Sequence, residues 1–290
     1  MVMRKRRRGV RELTNGQSQQ RVVSGTAAET ARAYFPRGLF QPEGSFRFSL
    51  DALLLASFLR PVGSGRGERL LDLGTGCGVV ALGMMRRYPE LEAVGLDLLP
   101  ELVAAARLNA ARLGFAGRFA AFTHDVAEPA PPACPPGSFR LVLANPPYRQ
   151  PGRGRLPAEP LRRAALFERE GGLEAFCRAA GRAMAPDGRF GLLFPAARGE
   201  ELLSALAGAE LEAVRLLPVH ARASDPAGVV LVEAVKKKFA PIRAKPGQIF
   251  SSSNSTTGSD DALKLYEGRG AAARLTKQAL DFCPFLACNT

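Results

Sequence analysis

Leu71-Asp72-Leu73-Gly74-Thr75-Gly76-Cys77-Gly78 is the stretch on which the reading of this chain turns. A short apolar run, 69–73, ends in three glycines at alternate positions, and a helical pattern over 79–87 follows. The order is therefore strand, tight glycine turn, helix. Glycine tolerates positive φ and lets a backbone approach a ligand closely. In open α/β sheets, ligands sit beyond the carboxyl ends of the strands. The stretch thus marks a nucleotide-type site. It is not the dinucleotide fingerprint G-x-G-x-x-G, because Val79 stands where that pattern has its last glycine. The sequence also lacks a G-x-x-x-x-G-K-[ST] phosphate loop.

Outward from this turn, short apolar runs alternate with helical ones. The sequence predicts strands over 92–96, 118–122, 140–144 and 190–194. It predicts helices over 101–113, opened by Pro100, over 200–206, and through Leu173, Phe176, Cys177, Ala180 and Met184. The proline-rich stretch 129–136 stands in place of a helix or connects to a short one, and Pro186-Asp187-Gly188 reads as a turn. Two last strands, 212–218 and 229–235, have no helix between them, which suggests an antiparallel edge. Together these imply a doubly wound α/β sheet, mostly parallel, with an antiparallel last strand. Upstream, 49–59 is apolar nearly all round one helix, with Ser49 as a plausible N-cap and Asp51 favourable in the first turn. Three zones follow: a basic, mobile arm over 1–35, a domain over 36–240, and a Ser-rich linker with a C-terminal extension over 241–290. The piece 263–286 is expected to fold back on the domain.

Two carboxylates fall at successive strand ends, Asp97 and Asp125. A carboxylate accepts charge-assisted hydrogen bonds from hydroxyl or amino donors. The 140–144 strand ends in Asn145-Pro146-Pro147-Tyr148. Two prolines in series make a stiff corner with outward-facing carbonyls. Asn145 Oδ1 and the Pro146 carbonyl suit the two N–H groups of a planar nitrogen nucleophile, and would orient its lone pair. Tyr148 adds a flat face for stacking on a base.

Asp-x-Gly-x-Gly-x-Gly, the two strand-end aspartates and Asn-Pro-Pro-Tyr resemble the class I S-adenosylmethionine-dependent methyltransferases, which have a Rossmann-like sheet. The resemblance implies that Asp72, Gly74, Gly76 and Gly78 cradle the methionine end of the cofactor, Asp97 its ribose and Asp125 its adenine. Asn-Pro-Pro-Tyr at this place is similar to enzymes acting on exocyclic or amide nitrogen: adenine N6, guanine N2, or glutamine N5 of peptide release factors. The upstream stretch Gln41 to Ala56, with Arg47-Phe48 and Asp51-Ala52-Leu53-Leu54-Leu55, resembles the bacterial tRNA(valine) adenine-37 N6-methyltransferase family. There Gln41, Arg47, Phe48 and Asp51 would help close the cofactor site, and Asn145 to Tyr148 would hold the flipped target base. The family's tyrosine is replaced here by Phe46. The alternatives are a guanine-N2 rRNA enzyme, a release-factor glutamine enzyme, and an RNA-binding module without turnover.

Charge agrees with an RNA substrate. Lys plus Arg total 40 against 27 Asp plus Glu, a formal net charge of +13 over 290 residues. Such a surplus favours a polyanionic partner. It gathers at Arg4 to Arg8 and, after the Asn145 corner, at Arg149, Arg153, Arg155, Arg162, Arg163 and Arg169. A cationic loop beside a reacting base can grip phosphates, so tRNA is the expected partner. No apolar run is long enough to span a membrane, and none follows the basic N-terminus as an export signal would require. The 5 cysteines are scattered, as suits reduced thiols in a cytoplasm, and Cys77 reads as a small filler. With His124 and His220 as the only histidines, metal ligation and Ser-His-Asp chemistry have few residues to draw on. No metal is expected.

Overall fold

The computed structural model describes residues 35–61, 67–149, 171–239 and 262–289, with positions 159, 163, 166, 167 and 169 between them. Arg4 to Arg8, the Ser-rich stretch 251–260, and Arg153, Arg155 and Arg162 lie outside the described residues.

β1 (Arg69–Leu73) lies between β2 (Glu92–Asp97) and β4 (Phe139–Ala144), parallel to both. β3 (Phe119–Thr123) continues the sheet beyond β2, and β5 (Met184–Pro195) continues it beyond β4, again in parallel. β7 (Ala227–Lys236) then enters antiparallel between β5 and β6 (Leu211–His220). A two-residue strand, β8 (Leu263–Lys264), closes the edge on β6, giving the order β3-β2-β1-β4-β5-β7-β6-β8. The chain works outward from β1 to β3, then returns to the other side of β1 with β4. That reversal places a crevice at the carboxyl ends of β1 and β4, where such sheets bind ligands.

Helices cover both faces. One core layer joins α1 (Leu50–Phe58), α2 (Val79–Arg87) and α3 (Pro100–Arg112) to the sheet. The other joins α4 (Gly172–Ala183) and α5 (Gly199–Gly208) to the opposite face. α1 is buried continuously from Ala52 to Phe58, as expected for a helix apolar on every side. It packs on α2, on β5 and on the C-terminal segment, where Cys283 Sγ donates to the Leu53 carbonyl at 3.3 Å. That segment holds the short pair β9 (Tyr266–Glu267) and β10 (Arg274–Leu275), then α6 (Lys277–Phe282). Thr276 caps α6 by accepting the Ala279 N–H at 3.0 Å, and Ala279, Cys283 and Leu286 are fully buried. The piece beyond the Ser-rich stretch therefore belongs to the same core.

Three local expectations differ from the structure. Ser49 stands at the N-cap of α1, but its side chain makes no capping bond. Pro186-Asp187-Gly188 does not end an element: it lies within β5. Phe139 pairs with Met184 and Leu141 with Arg189, so 185–188 bulge out opposite Arg140. Proline has no N–H to give a ladder, and a Cβ on Gly188 would come within 2.9 Å of the Phe139 carbonyl. Finally, β6 and β7 are not the last strands of the sheet, because β8 follows at its edge.

Candidate active site

A cavity of about 430 Å³ opens at the carboxyl ends of β1, β2 and β4. Gly74, Gly76 and Gly78 hold φ of +70°, +56° and +89°, a left-handed series that only glycine adopts without strain. The loop lies so close to β2 that a Cβ on Gly95 would sit 2.8 Å from Thr75 Oγ1. A Cβ on Gly76, by contrast, would meet nothing within 4 Å. The loop's backbone is bare on that side, where the cavity is.

Asp72 does not line the cavity. It is 1% exposed, and its Oδ2 accepts from Thr75 Oγ1 at 2.8 Å and from the Ala81 N–H at 3.2 Å. Its carboxylate therefore ties the glycine loop to α2. Burial pushes the Asp72 carboxyl up to about 7, against those two bonds. Gly78 likewise sits off the cavity wall, against Leu82 and Ala106. Asp97 does line it. Its Oδ2 accepts the Gly76 N–H at 2.8 Å and its Oδ1 accepts the Leu99 N–H at 3.0 Å. A carboxylate has about four lone-pair sites, so acceptor capacity remains for a hydroxyl donor. Burial raises the Asp97 carboxyl above its usual range.

Asp125 stands at the mouth. Its Oδ1 accepts the Ala127 N–H at 3.0 Å and its Oδ2 takes Arg169 Nη1 at 2.6 Å. The backbone N–H first, and the guanidinium with it, hold this carboxyl below its usual range. Leu98, Leu99 and Val126 give this end apolar walls. Gln41 and Arg47 lie off the cavity wall; Gln41 Oε1 accepts the Phe48 N–H at 3.0 Å and shapes the upstream segment, while Phe48 and Asp51 reach the wall. Asn109 fixes that segment to the glycine loop, bonding both the N–H and the carbonyl of Phe40 and the Cys77 carbonyl. Burial pushes the Cys77 thiol up to about 12, so it is a neutral packing group.

At the other end, Asn145, Pro146, Pro147 and Tyr148 all line the cavity. Asn145 Oδ1 is buried and has no hydrogen-bond partner among the described residues. A buried carbonyl oxygen left unpaired costs about 1–3 kcal/mol, so it persists where a donor is to arrive. Tyr148 donates its hydroxyl to Asp51 Oδ2 at 2.9 Å and accepts at its carbonyl from Arg198 Nη1 at 2.9 Å. Burial and the Asp51 charge raise its phenol above the usual range. Arg149 and Arg169 border the cavity and are exposed; Arg163 is exposed nearby in sequence. Phe176 of α4 packs under Gly74, about 3.3 Å from where its Cβ would be. Neither Phe176 nor Arg198 carries a sequence signal of its role: one reads as ordinary core, the other as one arginine among many.

These features fit S-adenosylmethionine. A bare glycine backbone suits its amino-acid end, the half-used Asp97 carboxylate its ribose hydroxyls, and the apolar walls at Leu98 and Val126 a purine. Among the described residues, no group of His, Cys, Asp and Glu is placed to hold a metal ion, and no helix is long and apolar enough to cross a membrane.

Sheet order, switch point and cavity define a class I methyltransferase. Residues 49–192 match the family described as "Methyltransferase small domain". A tRNA1(Val) (adenine(37)-N6)-methyltransferase of Aeromonas hydrophila is 31% identical over 227 residues, covering 76% of this chain and 89% of that protein. A release factor glutamine methyltransferase of Deinococcus radiodurans is 35% identical over 148 residues, covering 50% of this chain and 46% of that protein. Among solved structures, one titled a predicted O-methyltransferase from Agrobacterium tumefaciens superposes with a TM-score of 0.59 at 22% identity, over 81% of this chain and 96% of that one. The chain belongs to the methyltransferase small domain family, and its methyl donor is S-adenosylmethionine.

Proposed function

We propose that this chain methylates the N6 amino group of an adenine in tRNA, in the cytoplasm, with adenine 37 of a valine tRNA as the target. The observation that carries the reading is the buried, unpartnered Asn145 Oδ1 in a corner that lines the cavity beside Tyr148. When bound, S-adenosylmethionine supplies a sulfonium methyl group and becomes a neutral thioether once the methyl has left. Asn145 Oδ1 accepts one N–H of the target amino group and the Pro146 carbonyl accepts the other. Both bonds strengthen as positive charge builds on that nitrogen, which is where an electrostatic contribution lowers the barrier. The two prolines keep this pair of acceptors in one geometry. The surplus proton passes to water. Tyr148 gives the extruded base a face to stack on. Arg149, Arg163 and Arg169, together with Arg153, Arg155 and Arg162 from the same stretch of sequence, contact phosphates.

In this scheme Asp97 receives the ribose, the Gly74–Gly78 turn the amino-acid end, and Asp125 the adenine of the cofactor. Asp125 then exchanges Arg169 for that amino group or shares its oxygens between them. Asp72 and Gly78 support the turn from behind. The alignment with the Aeromonas protein along most of its length favours RNA over a release factor, whose enzyme is matched over less than half.

The test is transfer of tritiated methyl onto total tRNA, rRNA and release factor, followed by nucleoside and peptide analysis. Label in N6-methyladenosine from tRNA is expected. Label confined to N2-methylguanosine or to protein overturns the assignment.

A further inference from the structure

The acceptor corner is held by residues far apart in sequence. Pro146 and Pro147 have fixed φ, which stiffens the corner that Tyr148 completes. Tyr148 is tied at both ends. Its hydroxyl bonds Asp51, which lies 97 residues earlier in the first turn of α1. Its carbonyl bonds Arg198, 50 residues later, in the short turn between β5 and α5.

Arg198 is itself immobilised. Its side chain is 17% exposed, its Nε donates to Glu201 Oε2 at 2.8 Å, and its Nη2 pairs with the other oxygen of that carboxylate. Its guanidinium lies over Phe194, 4.8 Å from the ring centroid. A forked, stacked arginine gives up little further entropy on making one more bond, so it is suited to fixing a carbonyl. The next residue follows suit: the Arg149 N–H donates to the Leu166 carbonyl at 3.0 Å. Tyr148 and Asp51 both line the cavity, and Tyr148 is only half-buried. A half-buried phenol at a cavity wall has water as an alternative partner and does not need a carboxylate to be satisfied. The bond instead sets the ring's direction relative to the cavity.

We infer that Asp51 and Arg198 are positioning residues for methyl transfer, holding Tyr148 at its hydroxyl and its carbonyl so that its ring is a fixed wall of the acceptor pocket. This rests on reading Asn145 to Tyr148 as the acceptor site. It moves Asp51 from closing the cofactor site to acting through Tyr148, and it gives Arg198 a role.

The test is a double-mutant cycle of Asp51→Ala and Tyr148→Phe in the full chain, with Arg198→Gln alongside. Turnover is followed with total tRNA, and cofactor Kd by calorimetry. Each single variant should lose about 10- to 100-fold in kcat, the scale of a small misplacement of reacting groups. Cofactor Kd should stay within about threefold, below 1 kcal/mol. The double variant should be no worse than the worse single one, because the pair acts as a unit. Asp51→Asn keeps an acceptor for the phenol and should retain most of the activity. Multiplicative losses, a loss that resides in cofactor Kd, or Asp51→Asn as poor as Asp51→Ala each overturn the assignment. Amide exchange at Tyr148 and Arg149 gives a readout without an acceptor: it should quicken in Asp51→Ala and Arg198→Gln while residues 72–79 stay protected. Unchanged exchange in both variants overturns the assignment, whereas a wild type inactive on tRNA overturns only the substrate reading.

Discussion

The two ends of the cavity are built from different kinds of contact. At the cofactor end, the bonds that shape the glycine turn are short in sequence: Thr75 to Asp72 spans 3 residues, Leu99 to Asp97 spans 2 and Gly76 to Asp97 spans 21. At the acceptor end, Tyr148 reaches Asp51 across 97 residues and Arg198 across 50. The glycine turn is held by nearby backbone and by the carboxylates of Asp72 and Asp97. The acceptor end keeps a buried oxygen unpartnered and draws its rigidity from distant elements. A shared donor can be gripped by a local motif, while a particular acceptor needs a wall assembled from several parts of the chain.

That contrast can be broken from either side. Asn145→Ala should be the most severe change. It removes one of two acceptors for the reacting amino group, so kcat should drop by about 10²–10³, the usual loss for one such electrostatic contact. Cofactor affinity measured by calorimetry should barely move; if it collapses, Asn145 belongs to the cofactor end. Gly76→Ala probes the opposite end. The new Cβ meets no atom of the described residues within 4 Å, so the fold loses only the cost of a left-handed alanine, about 1–2 kcal/mol. Cofactor Kd should weaken by about tenfold, or 1.4 kcal/mol, with kcat at saturation nearly kept. A variant that binds cofactor normally would show that this backbone does not face it.

Replacing Arg149, Arg163 and Arg169 together by Gln should weaken tRNA binding and flatten its salt dependence. The slope of log K against log salt should fall by about 0.7–0.9 per lost phosphate contact. An unchanged slope removes these arginines from the RNA surface. The smallest effect on turnover belongs to Asp72. Its folded carboxyl titrates near 7 against an ordinary value of 3.8, so the fold favours the protonated form. Stability from that preference is complete below about pH 4 and is lost as pH rises through about 7. Asp72→Asn cannot ionise and should lack this dependence. The wild type's melting temperature should therefore fall relative to the variant's between about pH 4 and 7. A difference that does not vary with pH sinks this account.

The same contrast explains what was legible in the sequence. Residues 69–97 announce strand, turn, helix and strand because each signal is local: apolar runs, glycines, and an aspartate at a strand end. Asn145-Pro146-Pro147-Tyr148 is legible as chemistry for the same reason. The partners of Tyr148 are not. Asp51 appears in sequence as a helix-dipole residue and, by resemblance, as one that closes the cofactor site, and Arg198 as one arginine among many, until the fold brings both to Tyr148. Asp72 shows the converse. Its place in the motif suggests a cofactor ligand, yet the side chain turns inward to Thr75 and Ala81, a direction that no spacing encodes. The bulge at 185–188 misleads similarly, since Pro-Asp-Gly signals a reversal locally while strand pairing on both sides carries it straight on.

The burial of α1 has a consequence for how the protein is made. This helix carries Asp51, and Leu53, Leu54, Leu55 and Ala56 on it are fully buried. Part of their cover is Cys283 and Leu286, more than two hundred residues later. During synthesis the glycine turn and the Asn145 corner emerge early and can form their local structure as they do. The helix that orients Tyr148 lacks its outer packing until the chain has been translated past Leu286. On the ribosome, then, the wall of the site built on this helix is the last to be set, and premature termination within 240–280 should leave the helix without its outer cover.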